Sequence, residues 1–116
     1  MIGFELAIRS DDAHRAELLQ TLKQLCEEQI ARQDTAECRV FEDLCHSNGF
    51  LWLQWWRSER QLEEHLQTVG FRTLLGTVKV LGTLESARVV GLQDSTSVMS
   101  AFLTDRINMS DHRSEA

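Results

Sequence analysis

The stretch Phe50-Leu51-Trp52-Leu53-Gln54-Trp55-Trp56 decides the fold. At the two-residue period of a strand, Phe50, Trp52, Gln54 and Trp56 share one face, and Leu51, Leu53 and Trp55 share the other. Both faces are apolar, which describes a strand covered on two sides. The residues just before it, His46-Ser47-Asn48-Gly49, have turn chemistry. Glu37 to Leu44 (ECRVFEDL) is another run of strand formers, so the pair reads as a hairpin.

Upstream, Gly3 to Arg9 alternates, with Phe4, Leu6 and Ile8 set against Glu5, Ala7 and Arg9, as in a half-buried strand. Ser10 then offers an N-cap, and Asp11 and Asp12 suit the first turn of a helix. Ala16, Leu19, Leu22, Leu25, Cys26 and Ile30 fall on one stripe, predicting an amphipathic helix of about six turns that ends near Arg32. Downstream, Ser58-Glu59-Arg60-Gln61 is a capping box. Leu62, His65, Leu66 and Val69 form the next helical stripe. Gly70 reads as a weak point, and Phe71 to Leu81 as a second helical piece stopped by Gly82. Ser86 to Leu92 is a last short strand.

The order βαββαβ predicts an α+β, ferredoxin-like domain: a four-stranded antiparallel sheet with helices on one face. It occupies residues 1–92. Residues 93–116 form a C-terminal tail rich in Ser, Thr and Asp with one apolar island, Val98 to Leu103, expected as a short helix or as partly disordered chain. Helices cover only one face of such a sheet, yet both faces of the 50–56 strand are apolar. A homodimer formed through the sheet face resolves this; the alternative is that the tail folds back over the sheet.

At 116 residues, 42% hydrophobic and 26% charged, the chain has the make-up of one globular domain. No run approaches the ~20 apolar residues of a membrane span, and Met1 to Ser10 lacks the basic-then-apolar order of a signal peptide. A soluble, cytoplasmic protein is expected, with no membrane partner. The three cysteines, Cys26, Cys38 and Cys45, are an odd number without CxxC spacing, which fits a reducing compartment. His14, His65 and His112 are scattered, and Cys45-His46 is a lone adjacent pair, so no metal site is expected. A net charge of −6 with dispersed basic residues argues against a nucleic-acid surface.

With these elements in place, the segments CRVFED (38–43) and NGFLWLQWWRSERQLEEHLQTVGFRTLLGTVKVL (48–81) resemble the antibiotic biosynthesis monooxygenase family. The resemblance spans about residues 3 to 92. It is most specific at Trp56-Arg57-Ser58 followed by Leu62, His65-Leu66, Thr68 and Phe71. It implies a dimeric α+β barrel with a hydrophobic cavity between sheet and helices in each subunit. It further implies oxidation of phenols or quinols by molecular oxygen without bound flavin or metal, although some members have no assigned activity. Haem-degrading relatives use an asparagine on the first strand and a late helical histidine on iron. Here the first strand has no asparagine, and the iron-ligand position falls at Leu75, so no cofactor is expected. Many members carry a second histidine where this chain has Gly70, and there is no tyrosine in the sequence.

A cofactor-free oxygenase takes its electrons from the substrate, whose anion reacts with oxygen far more readily than the neutral phenol. Such a site needs stacking surfaces, a base and protection from water. Trp52 and Trp56 can line it, with Phe71 as a further ring contact. Gln54 can orient a substrate oxygen. His65 is the natural base, since a histidine's unperturbed pKa lies in the working range. Glu42, Asp43 and Glu64 are other bases within the same region of sequence. Each assignment has a structural counterpart: Trp52 and Trp56 as core, His65 as a hydrogen-bonded histidine at its edge, Gln54 satisfying backbone groups, Cys38 as a small buried side chain, and Arg39 and Arg72 at the surface. The expectation is a homodimeric, cofactor-independent monooxygenase acting on a small aromatic, phenolic or quinol substrate. The alternative is a non-catalytic domain of the same fold that binds a small hydrophobic ligand or a protein partner.

Overall fold

The computed structural model describes residues 1–32 and 37–91. The C-terminal tail, and with it the expected terminal helix, lies outside the described residues, as does Leu92 at the expected end of the last strand. The elements are β1 (Ile2–Ser10), a 3-10 turn (Asp12–His14), α1 (Arg15–Arg32), β2 (Glu37–Glu42), β3 (Gly49–Trp56), α2 (Glu59–Leu66), α3 (Val69–Leu81) and β4 (Gly82–Val90). The strands form one antiparallel sheet in the order β2-β3-β1-β4. This is the ferredoxin-like α+β arrangement expected from the βαββαβ order. No helix among the described residues is long and apolar enough to cross a membrane.

The alternation of β3 sorts the sheet into two faces. Phe50, Trp52, Gln54 and Trp56 are buried beneath the helices, together with Phe4, Leu6 and Ile8 of β1. Removing a ring of this size from water is worth roughly 4–6 kcal/mol gross, before the entropy of ordering it. Helix residues Leu18, Leu22, Leu62, Leu66, Phe71, Leu74 and Val78 complete this core. Phe71 meets Phe4 edge-on at 5.7 Å between centroids.

On the opposite face Leu51, Leu53 and Trp55 are half-buried, and Phe41 pairs with Leu51 in the ladder. Charged pairs border them: Glu5 accepts from Arg88 at 3.0 Å, Arg9 pairs with Glu85 at 3.0 Å, and Arg39 pairs with Glu37. Trp55 lies close over Gly3, where a Cβ would stand 3.1 Å from the indole ring. Among the described residues this face carries no helix.

Several boundaries differ from the sequence reading. Ser10 closes β1 rather than capping a helix, because its amide donates to Asn48 O across the hairpin turn at 2.9 Å. The buried stripe of α1 is Leu18, Leu22, Cys26 and Gln29, and Ile30 is 55% exposed. The helix is thus rotated toward a polar residue, Gln29, that periodicity alone did not select. β2 stops at Glu42, two residues short of Leu44, because the Asp43 side chain turns back to accept from the Cys45 amide at 2.8 Å. β4 begins at Gly82 directly after α3 and runs nine residues, with a bulge opposite Ala7 and Ile8. Gly82 permits this: a Cβ there would fall 2.1 Å from the Arg9 carbonyl oxygen.

Gly82→Ala therefore forces β1 and β4 apart where α3 enters the sheet and should cost about 2 kcal/mol or more in urea unfolding. Gly76→Ala, mid-α3 with no atom within 4 Å of the new methyl, should instead stabilise by about 0.5–1 kcal/mol. Equal effects at the two positions would contradict the close approach of strand and helix end.

Candidate active site

The capping residues of α2 and α3 position the candidate site. Ser58 Oγ accepts from the Gln61 amide at 3.2 Å, so α2 starts where the sequence placed it. The break between the helices falls at Thr68, not at Gly70. Thr68 Oγ1 donates to the His65 carbonyl at 2.7 Å and accepts from the Phe71 amide at 3.2 Å. One side chain thus terminates α2 and caps α3, while Gly70 sits in the first turn of α3 and Val69 is 70% exposed at the corner. The clamp holds His65 and Phe71 inward on either side of the break.

His65 is 7% exposed and packs between two aromatic rings: Trp56 at 4.6 Å between centroids, tilted 34°, and Phe71 at 5.7 Å. It also forms the wall between two recesses. The outer recess, of about 300 Å³, is lined by Trp56, Gln61, Glu64, His65 and Thr68. That is the lower end of the usual range for small-molecule sites, ~300–1,000 Å³. The inner recess, of about 20 Å³, lies between the C-terminal half of α1 and the sheet; Gln29, Trp52, His65, Gly70 and Phe71 are among its walls.

Four of the five residues singled out from sequence therefore converge: Trp52, Trp56, His65 and Phe71. Gln54 is fully buried on the same sheet face, opposite Cys38 in the ladder, but lines neither of these recesses. Its amide leans on the Cys38 thiol, a weak partner, and neither end makes a conventional hydrogen bond among the described residues. The indole N–H groups of Trp52 and Trp56 and the Oε1 of Gln29 are likewise buried without a protein partner among those residues. Buried polar groups in folded proteins are nearly always satisfied, so these atoms stand out from the apolar core around them. Gln29 is the member that sequence analysis missed. A polar residue in register with Leu18, Leu22 and Cys26 was its only signal.

The alternative bases separate by position. Glu42 and Asp43 lie at the Phe50 end of β3, about 20 Å along the strand from Trp56 at ~3.3 Å per residue. Glu42 is paired with Arg15 at 2.6 Å. The Asp43 carboxyl is held below the usual carboxylate range by the Cys45 amide and then by His46, which makes it a poor proton acceptor. Glu64 lines the outer recess but is exposed and paired with Arg60 at 3.3 Å. Burial, with Cys26 as neighbour, pushes the Cys38 thiol far up, which leaves it an inert packing group. Among the described residues no cluster of His, Cys, Asp or Glu has the make-up of a metal site.

No protein-family model and no curated protein matches the sequence. Solved structures do match. A Deinococcus radiodurans protein provisionally assigned as an antibiotic biosynthesis monooxygenase superposes with a TM-score of 0.72 at 20% identity, over 81% of this chain and 94% of that one. Rv0793 of Mycobacterium tuberculosis gives 0.69 at 16% identity, over 80% and 95%. SnoaB of Streptomyces nogalater, a cofactor-independent oxygenase, gives 0.67 at 12% identity, over 80% and 93%. The chain has the fold of the antibiotic biosynthesis monooxygenases, as its sequence pattern implied.

Thr68→Val keeps the shape of the side chain but loses both hydrogen bonds at the helix junction. It should lower stability by about 1–2 kcal/mol, whereas Thr68→Ser should stay within about 0.5 kcal/mol of the wild type. Thermal unfolding followed by circular dichroism measures both.

Proposed function

We propose that the protein is a cofactor-independent monooxygenase that oxidises a small aromatic, phenolic or quinol substrate with molecular oxygen. The observation that carries this reading is the placement of His65: a buried imidazole between Trp56 and Phe71, forming one wall of a recess large enough for an aromatic molecule. The substrate ring lies on Trp56, where stacking contributes beyond simple burial. His65 takes the hydroxyl proton, and the anion gives up electrons to oxygen. In balance, a substrate RH2 and O2 become RO and H2O: one oxygen atom enters the substrate and the other leaves as water, with all four electrons that O2 takes up supplied by the substrate. The shared fold with SnoaB agrees with this chemistry, but a fold hosts many functions, and the assignment rests on the site.

Oxygen uptake by metal-stripped protein, measured against a panel of hydroquinones and polycyclic phenols with autoxidation subtracted, tests the reading. Turnover above background should fall ten-fold or more in His65→Ala, a loss of roughly 1.4 kcal/mol or more of barrier lowering. Uptake that is equal in both proteins would remove His65 as the base. No uptake with any substrate would leave a ligand-binding domain as the better reading.

We further infer that a second copy of the chain covers the open sheet face. Leu51, Leu53 and Trp55 form an apolar strip bordered by ion pairs, a composition suited to a self-complementary interface. Light scattering should give twice 13.3 kDa for the wild type and 13.3 kDa for Leu53→Asp. A wild-type protein that scatters as a single chain at micromolar concentration would contradict the pairing.

A further inference from the structure

Two of the three cysteines meet across the seam between α1 and β2. Cys26 lies on the buried stripe of α1, one turn after Leu22. Cys38 lies on the helix-covered side of β2, the side it shares with Val40 in the two-residue alternation. α1 packs more closely on β2 than on any other strand. The two thiols are neighbours there, with their residues 7% and 3% exposed. Packing accounts for either cysteine alone, since the side chain behaves as a small apolar group. What their adjacency adds is a bond that they can form with each other.

Access to the pair is one-sided. Cys26 also lines a groove of about 340 Å³ between α1 and β2, whose walls include Leu19, Val40 and Phe41. Cys38 lines neither this groove nor the two recesses bordered by His65. Burial, and then the neighbouring Cys26, keeps the Cys38 thiol protonated and unreactive on its own. An oxidant entering from the groove therefore meets Cys26 first. The third cysteine, Cys45, is exposed at the hairpin turn, beyond the far end of β2 from Cys38. It is not placed to compete for either partner.

We propose that Cys26 and Cys38 form a redox site, which hydrogen peroxide converts to a disulfide stapling α1 to β2 and a dithiol converts back. In the first step the Cys26 sulfur bonds to one peroxide oxygen as the O–O bond breaks, and the thiol proton leaves with the other oxygen as water. In the second step the Cys38 sulfur displaces that oxygen from Cys26. The S–S bond forms, the S–O bond breaks, and the Cys38 proton leaves with the oxygen as water. Two thiols and one peroxide thus become one disulfide and two waters, the sulfurs supplying the two electrons. The site stands apart from the proposed oxygenase chemistry and does not depend on it.

The test uses the full chain carrying Cys45→Ser, so that only these two thiols remain. Protein is treated with hydrogen peroxide while folded, quenched, unfolded, alkylated with iodoacetamide and digested with trypsin for mass spectrometry. Cleavage after Lys23, Arg32 and Arg39 puts the two cysteines on separate peptides, 24–32 and 33–39. Reduced protein should give both peptides alkylated. Oxidised protein should give them joined and unlabelled, and dithiothreitol should restore the first pattern. With Cys38→Ala added, the reaction should stop at a Cys26 sulfenic acid that dimedone traps; with Cys26→Ala, Cys38 should remain alkylatable. The joined protein should melt roughly 5 °C or more above the reduced one, as expected when a loop is closed without distorting the backbone. Peptides that stay separate after peroxide, a link that forms only in urea, or a joined protein that melts below the reduced one would each overturn the staple. Oxidation of Cys38 in the Cys26→Ala protein as fast as in its parent would overturn the role of Cys26 as the first to react.

Discussion

The alternation along β3 is the constraint on which the rest of the molecule depends. A strand period of two leaves the chain no choice: if Phe50 and Trp52 are buried under the helices, Gln54 and Trp56 go with them, and Leu51, Leu53 and Trp55 face the other way. The helix-covered face thereby acquires polar atoms that a purely apolar core would exclude. The indole N–H groups of Trp52 and Trp56 and the whole Gln54 amide are carried into the interior by their register. Each unsatisfied group of this kind costs on the order of 1–3 kcal/mol. A fold that only needed stability would have placed leucine or phenylalanine there.

That cost is offset by the large apolar remainder of the core. At Thr68 the chain passes from α2 to α3, and its hydroxyl bonds to both helices. The break lets His65 and Phe71 both point inward, framing the imidazole with Trp56. Electrostatics play a smaller part. Most ion pairs are at the surface, as Arg60–Glu64 and Arg9–Glu85 are, and such pairs contribute little to stability. A hydrogen bond made in the buried interior counts for more than one made in water.

Much of this was legible in the sequence, for reasons that can be stated residue by residue. Strand alternation in Gly3–Arg9 and Phe50–Trp56, the turn at Ser47-Asn48-Gly49 and the Ser58 cap are local signals, and local signals fix element type and order. Trp52 and Trp56 were legible as a pair because they alternate on one strand, whereas His65 was marked by its side-chain chemistry and Phe71 by the family resemblance. What the sequence hid depended on three-dimensional packing. The rotation of α1 that buries Gln29 and exposes Ile30 is chosen by the sheet beneath it, and apolar periodicity tolerated either face. The direct passage from α3 into β4 rests on a backbone approach at Gly82 that no pattern encodes. Gly70 looked like a helix breaker because glycine weakens helices on average, yet Thr68 makes the break, and Gly70 sits in the first turn of α3.

The central claim is that His65 accepts a proton from a phenol bound against Trp56. The most direct measurement is the absorption spectrum of protein-bound 4-nitrophenol under anaerobic conditions, at a fixed pH near neutrality, because the phenolate form absorbs at visible wavelengths and the neutral form does not. The account predicts that bound ligand is more fully ionised on the wild-type protein than in free solution, and that His65→Leu abolishes the excess while still binding the ring. An equal degree of ionisation on both proteins would contradict it.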